Sequence, residues 1–453
     1  MLNEALAHAS DTRVVRIGTN VLDSFVEVLS SCFGDANAIV VADERTFAAT
    51  GAAVDAALRA AGRRAAPPIV LAAEPMPYAD LATVETLEAR LRTDAAVPVA
   101  VGSGTINDLT KLAAHRLGRP YACVATAASM DGYTAFGAAI TDGGFKRTMS
   151  CPAPRALVAD LAVLVHAPSA LAAAGYGDLL GKITAGADWI LADELEIEAI
   201  DPRAWALVQD DLRSWTARPA AVARAEPDAI ARLFEGLTMA GVAMQVSASS
   251  RPASGSEHRF SHLWEMQALA TGRAAVAHGF KVAVGTIAVA ALYERVLTRD
   301  MTRLDVDAAL DLWPTRAQVE RRVRGLHEHE AITEHAVAET LAKYVDRAQL
   351  RARLQRLRAR WPVLRERLEA QLLPAARLRD LLHAAGCPTD PSAIGIDRDA
   401  FEEDHARAHT IRARYTVLDL ATEAGILDAC VAETFTPSGL WYEPTSPPRP
   451  AHG

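Results

Sequence analysis

The stretch RPASGSEHRFSHLWEM (251–266) sets two histidines, His258 and His262, four residues apart in a pattern that otherwise reads as helix. Both therefore fall on one helix face. A zinc peptidase is disfavoured by residue order, because HExxH needs a glutamate directly after the first histidine, where Arg259 stands, while Glu257 precedes it. Two further residues widen the chemistry: His278 in AHGFKVAVGT (277–286) and Asp178 in GYGDLLGKITAGADW (175–189). One carboxylate oxygen and two imidazoles form a common donor set for a catalytic divalent metal, with coordination positions left open for substrate. Spacing alone does not choose His258 over His262. Asp178, preceded by Gly175 and Gly177, also reads by itself as the N-cap of a helix starting there. His327, His329 and His335, in GLHEHEAITEH, lie among charges and read as ordinary surface residues.

A second kind of chemistry lies earlier in the chain. VPVAVGSGTINDLTK (97–111) is a strand pattern ending in Gly102-Ser103-Gly104-Thr105, followed by Asn107, Asp108 and a helical pattern. Glycines there let a backbone approach a ligand, and a helix start offers N–H groups to a pyrophosphate. It lacks the third glycine of the usual dinucleotide fingerprint. IVVADERT ends a strand pattern at Asp43, which suits either a ribose hydroxyl or a plain polar strand end. ATAASMDGYTA (125–135) gathers Thr126, Ser129, Asp131, Tyr133 and Thr134 into one loop after another buried strand, where parallel sheets bind ligands.

The elements that must hold these residues divide the chain in two. Over residues 1–165, apolar runs at 37–43, 67–73, 97–104 and 121–129 alternate with alanine-rich helical stretches, which predicts a parallel α/β domain. Over 166–453, apolar residues recur at three- and four-residue intervals, which predicts an all-α domain. The arginine run RARLQRLRARW (351–361) reads as a solvated helix face, and the tail PTSPPRPAHG as frayed.

Composition narrows the partners. Half of the 453 residues are hydrophobic and 23% are charged, as in globular proteins, with a net charge of −9 that disfavours nucleic acid. No apolar run reaches the roughly 20 residues that span a bilayer, and the N-terminus lacks a signal-peptide layout. A cytoplasmic protein is expected. Five scattered cysteines suggest neither disulfides nor a thiolate metal site.

Taken together and in order, VGSGTINDLTK, TAASMDGYTA, GYGDLLGK, RPASGSEHRFSH and HGFKVAVGTI resemble the sn-glycerol-1-phosphate dehydrogenase family. That family sits within the iron-containing, metal-dependent alcohol dehydrogenase and dehydroquinate synthase-like superfamily. The resemblance covers roughly residues 15–300, and RYTVLDLATEAGIL (414–427) looks like the bacterial branch. It implies a nucleotide-binding α/β domain, a helical metal domain and an active site in the cleft between them. By resemblance the metal ligands are Asp178, His258 and His278, the metal being zinc first, with iron or nickel as alternatives. Dinucleotide contacts fall on Asp43, Gly102, Ser103, Gly104, Thr105, Asp108, Thr126 and Ser129. NAD and NADP both stay open, since Arg45 near Asp43 suits a 2′-phosphate. Asp131 and His262 are the candidates for moving a proton.

The implied reaction is reversible reduction of dihydroxyacetone phosphate to sn-glycerol 1-phosphate, by a protein expected to be a homo-oligomer. Alternatives are a cyclase or eliminase like dehydroquinate synthase, or a dehydrogenase for another polyol or sugar phosphate. Lys146, Arg147, Arg251 and Lys281 flank the motifs and are candidates for the substrate phosphate. The helices after residue 300 are expected to cover the cleft, build an oligomer or alter substrate choice.

Overall fold

Short, largely apolar runs rich in valine and alanine belong in a parallel sheet covered on both faces. In the computed structural model six of them pair in parallel: β1 (Val14–Gly18), β2 (Ala38–Asp43), β3 (Ile69–Leu71), β4 (Val97–Gly102), β5 (Ala122–Ala125) and β8 (Ala156–Asp160). Their order across the sheet is β1-β8-β5-β4-β2-β3. The structure describes residues 2–143 and 145–442. The side chain of Lys146, named above for phosphate, and the tail 444–453 lie outside the described residues.

The sheet buries alternate residues on opposite faces. Val40, Ala42, Val99, Val101, Val124 and Val158 pack under Phe25, Val28, Leu29, Val54 and Leu58. Ala100, Cys123, Ala125 and Leu157 join the apolar interior of the helical half. Because β4 lies between β2, which precedes it by a crossover, and β5, which follows it, the chain reverses direction at the β2–β4 pair. Asp43 and Gly102 close those two strands, so the topology brings them to one crevice at the carboxyl edge of the sheet.

Four of the expected runs hold strands, although β3 is shorter than its run because Pro67 and Pro68 precede it. Both β1 and β8 were not anticipated, nor was the antiparallel hairpin of β6 (Ala138–Asp142) and β7 (Phe145–Met149). After Asp160 the described residues contain helices and no further strand. Five of these helices build the site: Ser169–Leu180, Lys182–Glu194, Pro227–Ser247, Ser256–Thr271 and His278–Leu297. Later ones surround them, the longest being Arg347–Gln371.

The arginine run on that long helix lies on its solvated side, with Arg351, Arg356, Arg358 and Arg360 exposed while Leu354, Leu357 and Trp361 turn inward, and several of its arginines also reach carboxylates on neighbouring elements. Arg353 pairs with Glu423, while Arg356 reaches Glu196 at 2.9 Å, Arg360 reaches Glu194 at 2.7 Å and Arg351 reaches Asp307 at 2.7 Å. These pairs tie the helix to three others: Lys182–Glu194 with the turn after it, Val306–Leu312 and Val417–Glu423. His327 and His335 likewise meet the chain near residue 410, at Thr410 Oγ1 (2.8 Å) and the Ile411 carbonyl (3.0 Å). All five cysteines are free, and four of them are buried.

Candidate metal centre

Two helices can cross closely only where neither carries a side chain at the contact. At the crossing of Ser169–Leu180 with His278–Leu297, a Cβ on Gly279 would lie 1.8 Å from the Ala174 carbonyl oxygen, and one on Gly177 would lie 2.5 Å from the Gly279 carbonyl oxygen. This contact sets Asp178 beside His278. On the neighbouring turn Gly175 admits the Ala128 carbonyl oxygen, 2.0 Å from where its Cβ would be, so the loop after β5 lies against the same helix. Asp178 is therefore nine residues into its helix and fully buried, not the N-cap its glycines suggested.

The helix carrying His258 starts at a built anchor. Buried Asp188 accepts from the Ser256 backbone N–H (2.7 Å), the Ser256 hydroxyl (2.5 Å), the Tyr293 hydroxyl (2.7 Å) and the Val417 N–H (2.8 Å). Glu257, buried beside it, accepts from the Gly255 N–H at 2.6 Å and the Thr184 hydroxyl at 2.9 Å, and lies 2.8 Å from His258 Nδ1. Burial opposes ionisation of Glu257, yet the bond to His258 holds its carboxyl below the usual range. With Nδ1 so engaged, His258 presents Nε2, which lies 3.7 Å from Asp178 Oδ1. A carboxylate behind a ligating imidazole fixes its tautomer and raises its basicity.

Asp178, His258 and His278 each bring one ligand atom into a space where all three lie within 4.8 Å of one another. With bonds of roughly 2.0–2.2 Å, one divalent ion is reachable by all three after small side-chain movement. The donor set fits: one oxygen, two nitrogens, and an orienting partner for each imidazole, since the Ser261 hydroxyl lies 3.3 Å from His278 Nδ1. His262 stands at the edge, its ring 6.3 Å from that of His258 and 6.4 Å from that of His278.

Sequence reasoning missed Lys182, one helical turn beyond Asp178. Its buried ammonium lies 2.6 Å from both Asp178 Oδ1 and Asp131 Oδ2. Burial works against this charge, but the two carboxylates outweigh it and hold the lysine above its ordinary pKa. For Asp178, burial is likewise opposed by Lys182 and the two imidazoles, which bring it to about 2. Asp131 moves the other way, raised by burial and by the charge of Asp178. Its backbone N–H donates to Asp178 Oδ2 at 3.0 Å, so loop and helix are joined at the centre itself.

The proposed nucleotide residues gather along the sheet edge. Ser103 precedes the helix Gly104–Arg116, and the Thr126 N–H donates to the Gly102 carbonyl at 3.1 Å. A Cβ on Gly104 would meet the Met130 methyl at 2.5 Å, so the two loops touch. The Ser129 hydroxyl lies 3.2 Å from that of Tyr133. Asp108 faces the hairpin, accepting from the Ala139 N–H at 3.2 Å. Asp43 caps its helix through the Thr46 N–H at 2.9 Å, and Arg45 pairs with Glu74. Lys111, also missed, is buried and donates to the carbonyls of Gly132 (3.0 Å), Ala135 (2.8 Å) and Gly137 (3.0 Å), which pins the Asp131 loop to this helix.

Of the phosphate candidates, Arg251 is buried, with Nη1 on the Tyr415 carbonyl (3.0 Å) and Nη2 on the Asp188 carbonyl (2.7 Å). It serves the scaffold. Lys281 lies 3.4 Å from Glu265, and Arg147 is exposed on β7.

A parallel sheet with a ligand-binding crevice, followed by helices that bring a carboxylate and two imidazoles together, defines the class of iron-containing alcohol dehydrogenases. The family model described as iron-containing alcohol dehydrogenase matches residues 16–168. A maleylacetate reductase from Agrobacterium tumefaciens superimposes with a TM-score of 0.58 at 15% identity, covering 93% of this chain and 96% of that one, which is a likeness of fold. The glycerol-1-phosphate dehydrogenase (NAD(P)+) of Geobacillus thermodenitrificans is 30% identical over 392 residues, 86% of this chain and 87% of the relative. Its namesake from Pyrococcus furiosus is 38% identical over 200 residues, 43% of this chain and 55% of the relative. The chain belongs to the glycerol-1-phosphate dehydrogenase family.

Proposed function

We propose that the protein catalyses reversible hydride transfer between NAD(P)H and dihydroxyacetone phosphate, giving sn-glycerol 1-phosphate, at a divalent metal held by Asp178, His258 and His278. The observation that carries this reading is the convergence of those three ligand atoms, buried at Asp178 and His258 and partly exposed at His278, beside the loop that follows β5. Zinc suits the mixed oxygen and nitrogen set, with iron and nickel compatible. When bound, the metal supplies Lewis acidity toward the substrate oxygens and the nicotinamide supplies the hydride.

The chain's own residues do the rest. Residues 1–165 act as the nucleotide unit, with Gly102, Ser103, Gly104 and Thr105 offering backbone N–H groups to the pyrophosphate, and Asp108, Thr126 and Ser129 completing that wall. Asp43 takes the adenosine ribose. Residues 166–453 form the metal and substrate unit. Reduction of a carbonyl needs a proton at oxygen, and the Lys182 ammonium, 2.6 Å from Asp131 Oδ2, holds one that this carboxylate can relay. His262 sits across the centre. Its Nε2 lies 3.0 Å from Arg412 Nη2, and because a guanidinium only donates, that nitrogen is the acceptor and the ring proton is on Nδ1. A cytoplasmic setting, a homo-oligomeric assembly and the absence of a nucleic-acid partner go with this reading; among the described residues no helix is long and apolar enough to cross a membrane.

The test follows absorbance at 340 nm with zinc-loaded protein, NADH or NADPH and dihydroxyacetone phosphate. Oxidation of the cofactor that yields sn-glycerol 1-phosphate is expected. Binding of NADH without net oxidation would overturn the dehydrogenase reading in favour of a cyclase-type reaction that leaves the cofactor unchanged.

A further inference from the structure

The segment 411–415 connects the helices Arg398–Thr410 and Val417–Glu423 far along the chain, yet it is laced to the loop before the His258 helix from both sides. Arg251 donates to the Tyr415 carbonyl (3.0 Å), and in return Arg414 donates to the Ser254 carbonyl (2.7 Å) and the Ser250 hydroxyl (2.9 Å). Between these ties, Arg412 is delivered to His262 at the edge of the Asp178, His258 and His278 cluster.

We infer that Arg412 is the residue that recognises the phosphate monoester of the substrate, with Arg414 fixing the segment that carries it. This inference rests on the functional reading above. Among the described residues neither Arg412 nor Arg414 forms an ion pair with a carboxylate, and the hydrogen bonds they make go to an imidazole nitrogen, a carbonyl and a hydroxyl. Glu339 is the nearby acid, and its carboxylate accepts from the Ala413 N–H at 2.7 Å. A guanidinium has five N–H donors, so one bond to His262 leaves a fork free for the bidentate geometry that phosphate oxygens take.

Arg251, Arg259, Arg412 and Arg414 lie within electrostatic reach of one another, with Glu198 and Glu339 as opposing acids. Burial first, then the neighbouring Arg251 and Arg412, together bring the Arg414 pKa down to about 9, with Glu198 opposing them. Arg412 is lowered by burial as well, against the charge of Glu339, which opposes the shift, and with a smaller contribution from Arg259. Arg251 and Arg259 each have a carboxylate, Glu198 at 3.4 Å and Asp419 at 2.9 Å, so Arg412 and Arg414 are the two guanidinium groups of this cluster whose charge a phosphate would complement. Position agrees with charge, because the ring that Arg412 touches lies 6.3 Å from the His258 ring. In dihydroxyacetone phosphate the phosphate is one methylene and one ester oxygen from the reacting carbonyl carbon, so a phosphate held at Arg412 keeps that carbon beside the cluster.

The test compares the full-length, zinc-loaded wild type with Arg412→Gln and Arg412→Lys. Three quantities are read for each: KM and kcat for dihydroxyacetone phosphate, the inhibition constant of inorganic phosphate, and the NADH dissociation constant from fluorescence. Loss of a charge-assisted bidentate contact is expected to raise KM and the phosphate inhibition constant together by about tenfold to a hundredfold. The effect should be smaller in the lysine variant, and NADH affinity should stay within about twofold. Parallel weakening of NADH would assign the residue to the cofactor or to the scaffold, and unchanged phosphate constants would remove it from the site; either result overturns the inference. A wild type that fails to oxidise NADH with this substrate defeats the functional reading itself, which is a separate outcome.

Discussion

Gly177 and Gly279 face each other where their two helices cross, so closely that a methyl on the first would sit 2.5 Å from the carbonyl oxygen of the second. The proposed metal centre depends on that proximity, since Asp178 follows one glycine and His278 precedes the other. A Gly279→Ala substitution forces the helices apart against the Ala174 carbonyl, at a cost of about 3 kcal/mol or more. It should lower the melting temperature and the zinc retained after dialysis together. Gly325 is the control. It lies within the helix Arg316–Leu326, a Cβ there meets nothing within 4 Å, and Gly325→Ala should leave zinc unchanged and add up to about 1 kcal/mol.

Lys182 is the cation that two buried carboxylates share. Lys182→Met keeps the side chain's bulk but leaves Asp131 and Asp178 facing each other uncompensated, a loss of about 3–5 kcal/mol for a broken buried pair. Zinc on Asp178 should restore part of it. Urea unfolding with and without zinc should show a larger zinc-induced stabilisation in the variant than in the wild type.

Acid should loosen the C-terminal helices first. Burial pushes His405 and His409 down to about 4, with Lys343 adding to the effect at His409. An unfolded histidine takes up its proton near pH 6.5. Between pH 6.5 and 4 the unfolded chain therefore binds more protons than the folded one, so stability is full above about 6.5 and falls as the pH drops toward 4. Glu423, raised by burial to about 7, works with the opposite sign between 4.5 and 7 and offsets part of the slope. His405 packs edge-on against Phe260, with ring centroids 4.9 Å apart. His405→Phe should fit the same aromatic pocket and flatten the dependence of the urea midpoint on pH.

A second ionic knot ties the His258 helix to the later helices. Asp419 lies 2.9 Å from Arg259, 2.7 Å from Lys343 and 3.1 Å from His409. Asp419→Asn strands buried cations and should cost about 3–5 kcal/mol. Because Arg259 directly follows His258, zinc affinity should fall as well, which a competitive chelator titration would measure.

The residue types left His258 and His262 as alternatives and Asp178 as a candidate, and the set Asp178, His258 and His278 came from the family resemblance; the structure brings these three together. Strands β2, β4 and β5 were legible because valine and alanine run unbroken through them. By itself Asp178 read as an N-cap because Gly175 and Gly177 look like a helix start, whereas they serve close packing that only the partner helices reveal. Lys182 sits one turn from Asp178, a spacing that could have flagged it. Arg412 had no local signal, since TIRARY resembles any basic turn, and its place beside His262 comes from ties to residues some 160 positions earlier.

The central claim is that one metal, held by Asp178, His258 and His278, makes this chain a dehydrogenase. Chelator-stripped protein titrated with zinc, while NADH oxidation by dihydroxyacetone phosphate is followed at 340 nm, measures it most directly. The rate should rise from background and saturate at one zinc per chain, and His258→Ala should neither bind that zinc nor gain the rate. A stripped enzyme that keeps its full rate, or a His258→Ala variant that titrates like the wild type, would contradict the account.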